Sequence, residues 1–271
     1  MPTRRLHFRT PVLALALALV AAPVAAQLPE SPTHARIQSR TYHFDEADMD
    51  MGYEVYVPTS YDSATPTPLI VLLHGLGSRP ERVIRYESLT DLAEERGYVV
   101  VAPMGYNERG WYGSRGIGRA SNRGDAANDP DNLGELSEMD VLNVLQIALD
   151  EFNIDRDQVF LAGHSMGGGG TLHIAMTHPD VWAGLAAIAP AIYTSPDDLA
   201  AITDVPVIVV QGDDDELVDV DVTRRWIAKM GELGISHRYI EVPGGDHSRI
   251  ITRTPANMRA IFDFFDDIRA E

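Results

Sequence analysis

The chain contains no cysteine. That absence excludes disulfides, thiolate metal sites and a cysteine nucleophile. It also excludes a lipid anchor of the bacterial lipoprotein kind, which needs a cysteine at the cleavage site. Lysine is nearly absent as well. Lys229 stands alone beside 21 arginines, a bias that a GC-rich genome explains without any function. Long apolar runs are lacking too. Val12 to Ala22 falls short of a membrane span, which takes about 20 apolar residues. That run follows the basic Arg4, Arg5 and Arg9 and precedes the small residues Val24-Ala25-Ala26. Residues 1–26 are therefore expected to be a secretory signal peptide, making the product secreted or periplasmic.

What the chain holds in excess is acid. Past residue 26, 19 basic residues face 40 acidic ones, a net charge of −21 against −18 for the full sequence. Such a surface repels nucleic acid and anionic membranes, so neither is an expected partner. Hydrophobic residues make up 45%, enough for a sizeable core. With no internal repeat, low-complexity tract or linker, residues 27–271 read as one domain.

Periodicity predicts the architecture. Thr41–Phe44 and Tyr53–Val57 alternate as half-exposed strands do. Leu69–Leu73, Tyr98–Ala102, Val159–Ala162, Leu185–Ala189 and Val207–Val210 are nearly continuous apolar runs, the pattern of strands buried on both faces in a parallel sheet. Arg238–Val242 closes the series. Helical patterns run over Tyr86–Arg96, Glu138–Phe152, Met166–Thr177, Val220–Leu233 and Pro255–Ile268. This alternation predicts an α/β fold with an eight-stranded, mostly parallel sheet and helices on both faces. Pro190 to Asp204 leaves little or no room for a lid. Only Gly105 to Ser137 is a long connection without periodicity, and a loop of that length is functional or disordered.

Gly163-His164-Ser165-Met166-Gly167 follows an apolar run and opens a helical pattern. That is the strand–turn–helix setting in which a serine is held on a strained turn with its hydroxyl exposed. A serine needs a base. The turn after the last strand, Pro243 to His247, supplies His247, whereas the other histidines fall on strands, helices, the leader or the lead-in. An acid to orient the imidazole belongs in Gly212 to Glu216, where spacing alone leaves Asp213, Asp214 and Asp215 open. A tetrahedral intermediate would need two amide donors. Met166 N–H and Leu76 N–H are expected to supply them, leaving both side chains free to line a pocket. Trp111 and Tyr112 in the long loop are candidates to grip an aromatic acyl or sugar group, or else to pin the loop to the body.

The chain order Ser, Asp, His is that of the α/β-hydrolases, and these residues together resemble that superfamily. Leu72-Leu73-His74-Gly75, the nucleophile turn and the spacing to the acid and His247 are similar to secreted esterases. The similar groups are the polyhydroxybutyrate depolymerase-like and the feruloyl or acetylxylan esterase-like proteins, over roughly Tyr53 to Phe265. The resemblance implies the α/β-hydrolase fold and carboxylic-ester hydrolysis, and the open access left by a missing lid points to bulky or polymeric esters. It also selects the acid, which in that superfamily lies three residues after a glycine ending the seventh strand, with a valine three further on. Gly212, Asp215 and Val218 match, so Asp215 is implied. Gly163 to Leu172 resembles the nucleophile segment of bacterial cutinases. Those tend to have a tryptophan where this chain has Pro190-Ala191-Ile192-Tyr193, and many carry a disulfide that this chain cannot form. An acyltransferase or a prolyl-oligopeptidase-like peptidase would use the same residues. The chemistry needs no cofactor or metal, although Asp129 to Glu135 has acids and Gly134 at positions reminiscent of a calcium loop.

Overall fold

The computed structural model describes residues 28–116, 118 and 128–270, so the expected signal peptide lies outside them. Eight strands form one sheet in the order β1-β2-β4-β3-β5-β6-β7-β8. They are β1 (Gln38–Phe44), β2 (Met49–Tyr56), β3 (Thr67–Leu73), β4 (Val99–Pro103), β5 (Ile154–His164), β6 (Gly184–Ile188), β7 (Val207–Gly212) and β8 (His237–Val242). β2 pairs antiparallel with β1 and with β4, and the remaining pairs are parallel.

The apolar runs split by period two. Leu69, Val71 and Leu73 of β3 feed one core while Ile70 and Leu72 feed the other; Leu161 and its neighbours Phe160 and Ala162 of β5 divide the same way. Two layers of helices cover these cores because a strand buried on both faces needs apolar partners on each. On the first face lie α3 (Leu133–Glu151), α4 (Met166–Thr177) and α5 (Val220–Leu233). The short α1 (Pro80–Val83), α2 (Leu89–Arg96), α6 (Arg249–Thr252) and α7 (Pro255–Arg269) cover the second. The predicted α/β fold with a mostly parallel eight-stranded sheet is the one observed. Between β6 and β7 there is only a seven-residue 3-10 helix, Pro196–Ile202, tied to α5 by the Lys229–Asp197 ion pair at 2.7 Å.

Two local expectations change. α3 begins at Leu133 rather than Glu138, since buried Leu133, Leu136, Val141 and Val144 continue one helical stripe. Gly134 and Glu135 are therefore helical, and Asp129 accepts from the Arg109 guanidinium at 2.6 and 3.0 Å. Residues 129–135 therefore do not adopt a calcium-loop conformation. The long loop, expected to be functional or disordered, is closely packed at Gly105, Gly110 and Gly113. A Cβ on Gly110 would lie 2.3 Å from Ser137 Oγ and 2.6 Å from Gly105 O.

Candidate active site

β5 delivers Ser165 to the carboxyl edge of the sheet, where α4 starts at the next residue. Ser165 has φ 60° and ψ −115°. A non-glycine residue in this region stores about 1–3 kcal/mol and persists only where its surroundings over-determine it. Here they do. Ser165 N–H donates to Ile188 O at 2.8 Å, and its carbonyl accepts from Ala191 N–H at 2.9 Å and Gly169 N–H at 3.0 Å. The flanking glycines are dictated by space: a Cβ would lie 2.2 Å from Gly167 O at Gly163, and 2.3 Å from Leu73 O at Gly167.

His247 reaches this edge from the turn after β8. Its Nε2 lies 2.8 Å from Ser165 Oγ, and its Nδ1 lies 2.7 Å from Asp215 Oδ2. An ionised carboxylate can only accept, so Nδ1 carries the proton and Nε2 is left to accept from the serine hydroxyl. Asp215 Oδ2 also accepts from Gln211 Nε2 at 2.9 Å, while Oδ1 accepts from the amides of Leu217 and Val218, each at 2.9 Å. Its side chain has no exposure. Burial pushes this carboxyl upward, but the Val218 amide and the His247 bond outweigh it, and it stays below its ordinary range. The main chain three residues after the acid thus helps hold the carboxylate, whatever side chain stands there. Asp213 turns elsewhere: its Oδ1 accepts from Gly244 N–H at 2.6 Å and holds the histidine turn against β7.

Beneath His247 lies a second imidazole, at the end of a strand. His164 Nε2–H donates to the His247 carbonyl at 2.9 Å, and Tyr86 Oη–H donates to His164 Nδ1 at 2.9 Å. Burial, reinforced by the nearness of His247, lowers His164 to about 4. It therefore stays neutral and positions the His247 main chain.

Of the two expected oxyanion donors, Met166 heads α4, where a first-turn amide has no intrahelical acceptor and the helix dipole favours negative charge. Leu76 N–H makes no backbone hydrogen bond among the described residues. The Leu76 side chain lines the cleft, but that of Met166 does not: it is 1% exposed and packs into the core.

Trp111 and Tyr112 separate. Both are left-handed, at φ 60° and 53°, and both are buried in one core, but only Trp111 also borders the cleft. Trp111 lines the cleft, its ring 5.1 Å from that of Tyr193 in an edge-on arrangement. Tyr112 corrects the expectation that it touches substrate. It is fully buried, its hydroxyl accepting from His74 N–H at 3.0 Å and donating to His74 O at 3.2 Å. It braces the turn that presents Leu76.

The cleft has a volume of about 560 Å³, and Ser165 and His247 line it together with Leu76, Trp111, Tyr193 and Leu217. Arg82, in the single-turn α1, and Arg115, in the long loop, also line it, and no periodicity marks either in the sequence.

The sheet order and the strand–serine–helix turn define an α/β-hydrolase. A family model described as "Putative esterase" matches residues 45–249, and the chain belongs to this Esterase family. Among curated relatives, the S-formylglutathione hydrolase of Rattus norvegicus is 30% identical over 54% of this chain and 53% of its own length. Feruloyl esterase D of Neurospora crassa is 28% identical over 69% of this chain and 62% of its own. The chain spans about half the length of the first curated relatives it matches. A ferulic acid esterase from Anaeromyces mucronatus, solved with ferulic acid, superposes with a TM-score of 0.66 at 19% identity, over 90% of this chain and 92% of that one. At that identity the likeness concerns the fold.

Proposed function

We propose that the protein is an exported serine carboxylic-ester hydrolase acting through Ser165, His247 and Asp215. The observation that carries this reading is the unbroken hydrogen-bonded chain from Ser165 Oγ through His247 to the buried Asp215, at 2.8 and 2.7 Å, opening onto a wide cleft. Family membership and relatives named as feruloyl esterase and acetylxylan esterase support ester chemistry. The basic and apolar leader supports export. No helix among the described residues is long and apolar enough to cross a membrane.

In the reaction, Ser165 Oγ attacks the ester carbonyl as His247 Nε2 takes its proton. The amides of Leu76 and Met166 receive the negative oxygen that forms. The imidazolium, stabilised by Asp215, gives its proton to the leaving alkoxide, and the alcohol departs from an acyl-serine. Water then attacks that acyl group with His247 as base. The proton returns to Ser165 Oγ and the acid leaves. Trp111 and Tyr193, lining a wide cleft that carries only a short 3-10 helix between β6 and β7, suit a bulky acyl group or a polymer-bound ester.

Ser165→Ala tests this reading. Hydrolysis of p-nitrophenyl acetate is expected to fall below about 1% of the wild-type rate with the melting temperature nearly unchanged, because the lost interaction exists only during reaction. Retained turnover in a clean preparation would refute it.

A further inference from the structure

We propose that the cleft selects esters bearing a carboxylate, and that Arg115, with Arg82, binds that group. The proposal rests on reading the cleft as the ester site. Its first support is an inversion of charge. The chain carries 40 acidic residues and a net charge of −18, yet among the described residues the cleft lining contains two arginines and no aspartate or glutamate. An overall field this negative repels anionic substrates. A cleft cleared of acids and fitted with guanidinium groups reverses that sign locally.

The second support is how Arg115 is held. Its guanidinium carbon lies 4.9 Å from the Trp111 ring centroid and 4.5 Å from that of Tyr193, and the two rings stand at 84° to each other. Cation–π contacts at these distances fix the side chain without occupying its N–H groups. The fork keeps its donors for a planar acceptor, and an arginine already immobilised loses less freedom when an anion docks. Several other arginines are paired with carboxylates: Arg96 with Asp263 and Asp266, Arg109 with Asp129, and Arg224 with Glu241. Among the described residues, neither Arg115 nor Arg82 forms an ion pair. A carboxylate accepts two parallel bonds from such a fork, a match that a neutral ester terminus cannot make.

The test uses two matched pairs of esters. Mono-p-nitrophenyl adipate against p-nitrophenyl hexanoate places the carboxylate on the acyl side; 4-acetoxybenzoate against 4-acetoxybenzamide places it on the leaving group. The ratio of kcat/KM for the charged and neutral members is measured for the wild type, Arg115→Gln, Arg115→Lys and Arg82→Gln. In the pair whose carboxylate reaches the clamp, the wild type is expected to favour the charged ester. Arg115→Gln should lower that ratio about tenfold, mainly through KM, and Arg115→Lys should restore part of it. Arg82→Gln should lower it less, and high salt should weaken the wild-type preference. A wild-type ratio favouring the neutral ester in both pairs, or one that Arg115→Gln leaves unchanged because both members suffer alike, overturns the proposal and reduces Arg115 to a clamp on the aromatic pair. Turnover of the neutral esters without charge preference sinks this inference alone. No turnover of any of the four sinks the ester reading with it.

Discussion

Tyr112→Phe removes one oxygen atom and separates bracing from binding. That oxygen lies 3.0 Å from His74 N and 3.2 Å from His74 O, in a place closed to solvent. Phenylalanine fits the same space but leaves a buried N–H and a buried carbonyl without their partner, which costs about 1–3 kcal/mol. For a domain of this size each kcal/mol is worth roughly 2–4 °C, so the melting temperature should fall by on the order of 5 °C. The kinetic consequence follows from position. Leu76, the proposed oxyanion donor, lies two residues beyond His74, and complete loss of such a donor costs about 10²–10³-fold in kcat. A turn loosened rather than removed should lose a fraction of that, about tenfold in kcat, with KM little changed. The assay is p-nitrophenyl acetate hydrolysis together with thermal unfolding followed by circular dichroism. Tyr98→Phe is the control, because its hydroxyl donates to Asp266 at 2.8 Å on the opposite face of the sheet. That variant should lose stability without the loss in kcat. If Tyr112→Phe lowers the melting temperature but keeps kcat, the brace has no link to the turn. If it changes KM for aromatic esters alone, Tyr112 contacts substrate after all and the placement is wrong.

Asp215→Asn should lower kcat by about 10³–10⁴-fold, since an amide at Oδ2 favours the wrong imidazole tautomer, while Asp213→Asn, which keeps its Oδ1 acceptor for Gly244, should cost tenfold or less; the reverse ranking would refute the assignment. His164, held at about 4 by burial and by its neighbour His247, stays neutral in the fold down to that pH, whereas the unfolded chain takes up this proton from about 6.5. The unfolded state thus binds more protons between these values, so this contribution is full above pH 6.5 and is lost as pH falls toward 4, by on the order of 3 kcal/mol. Urea unfolding of the wild type and His164→Gln at pH 7 and 4.5 should show a smaller drop in the variant, and equal drops would contradict the burial of a neutral ring.

The strands were legible because a strand buried on both faces cannot hide its composition: Leu69–Leu73 and Val207–Val210 are apolar at every position whichever core each residue meets. Their ends were less so. β5 runs back to Ile154 through Asp155, Arg156 and Asp157, half-exposed or exposed residues with no apolar signal, and pairs at Ile154 with Thr67 after a register shift. Gly105, Gly110 and Gly113 of the long loop are ambiguous for a related reason. A glycine that lets a backbone move and one that lets Ser137 approach Gly110 are the same letter, and only the neighbour distinguishes them.

By itself the sequence determined what depends on neighbours along the chain: the alternation of strands and helices, and the strand–serine–helix turn with its obligatory glycines. Local sterics and periodicity set these before any distant residue arrives. Tertiary structure decided whatever requires segments far apart to meet. It chose among three adjacent acids by turning Asp215 toward His247 and Asp213 toward Gly244. It set His164 under the His247 carbonyl, 83 residues away in the chain. It also closed Tyr112 off completely and left an edge of the buried Trp111 on the cleft, where Tyr193 arrives from beyond β6 to enclose Arg115. The direction of a side chain on an aperiodic turn is set by the packing around it, and no spacing of residues encodes that packing in advance.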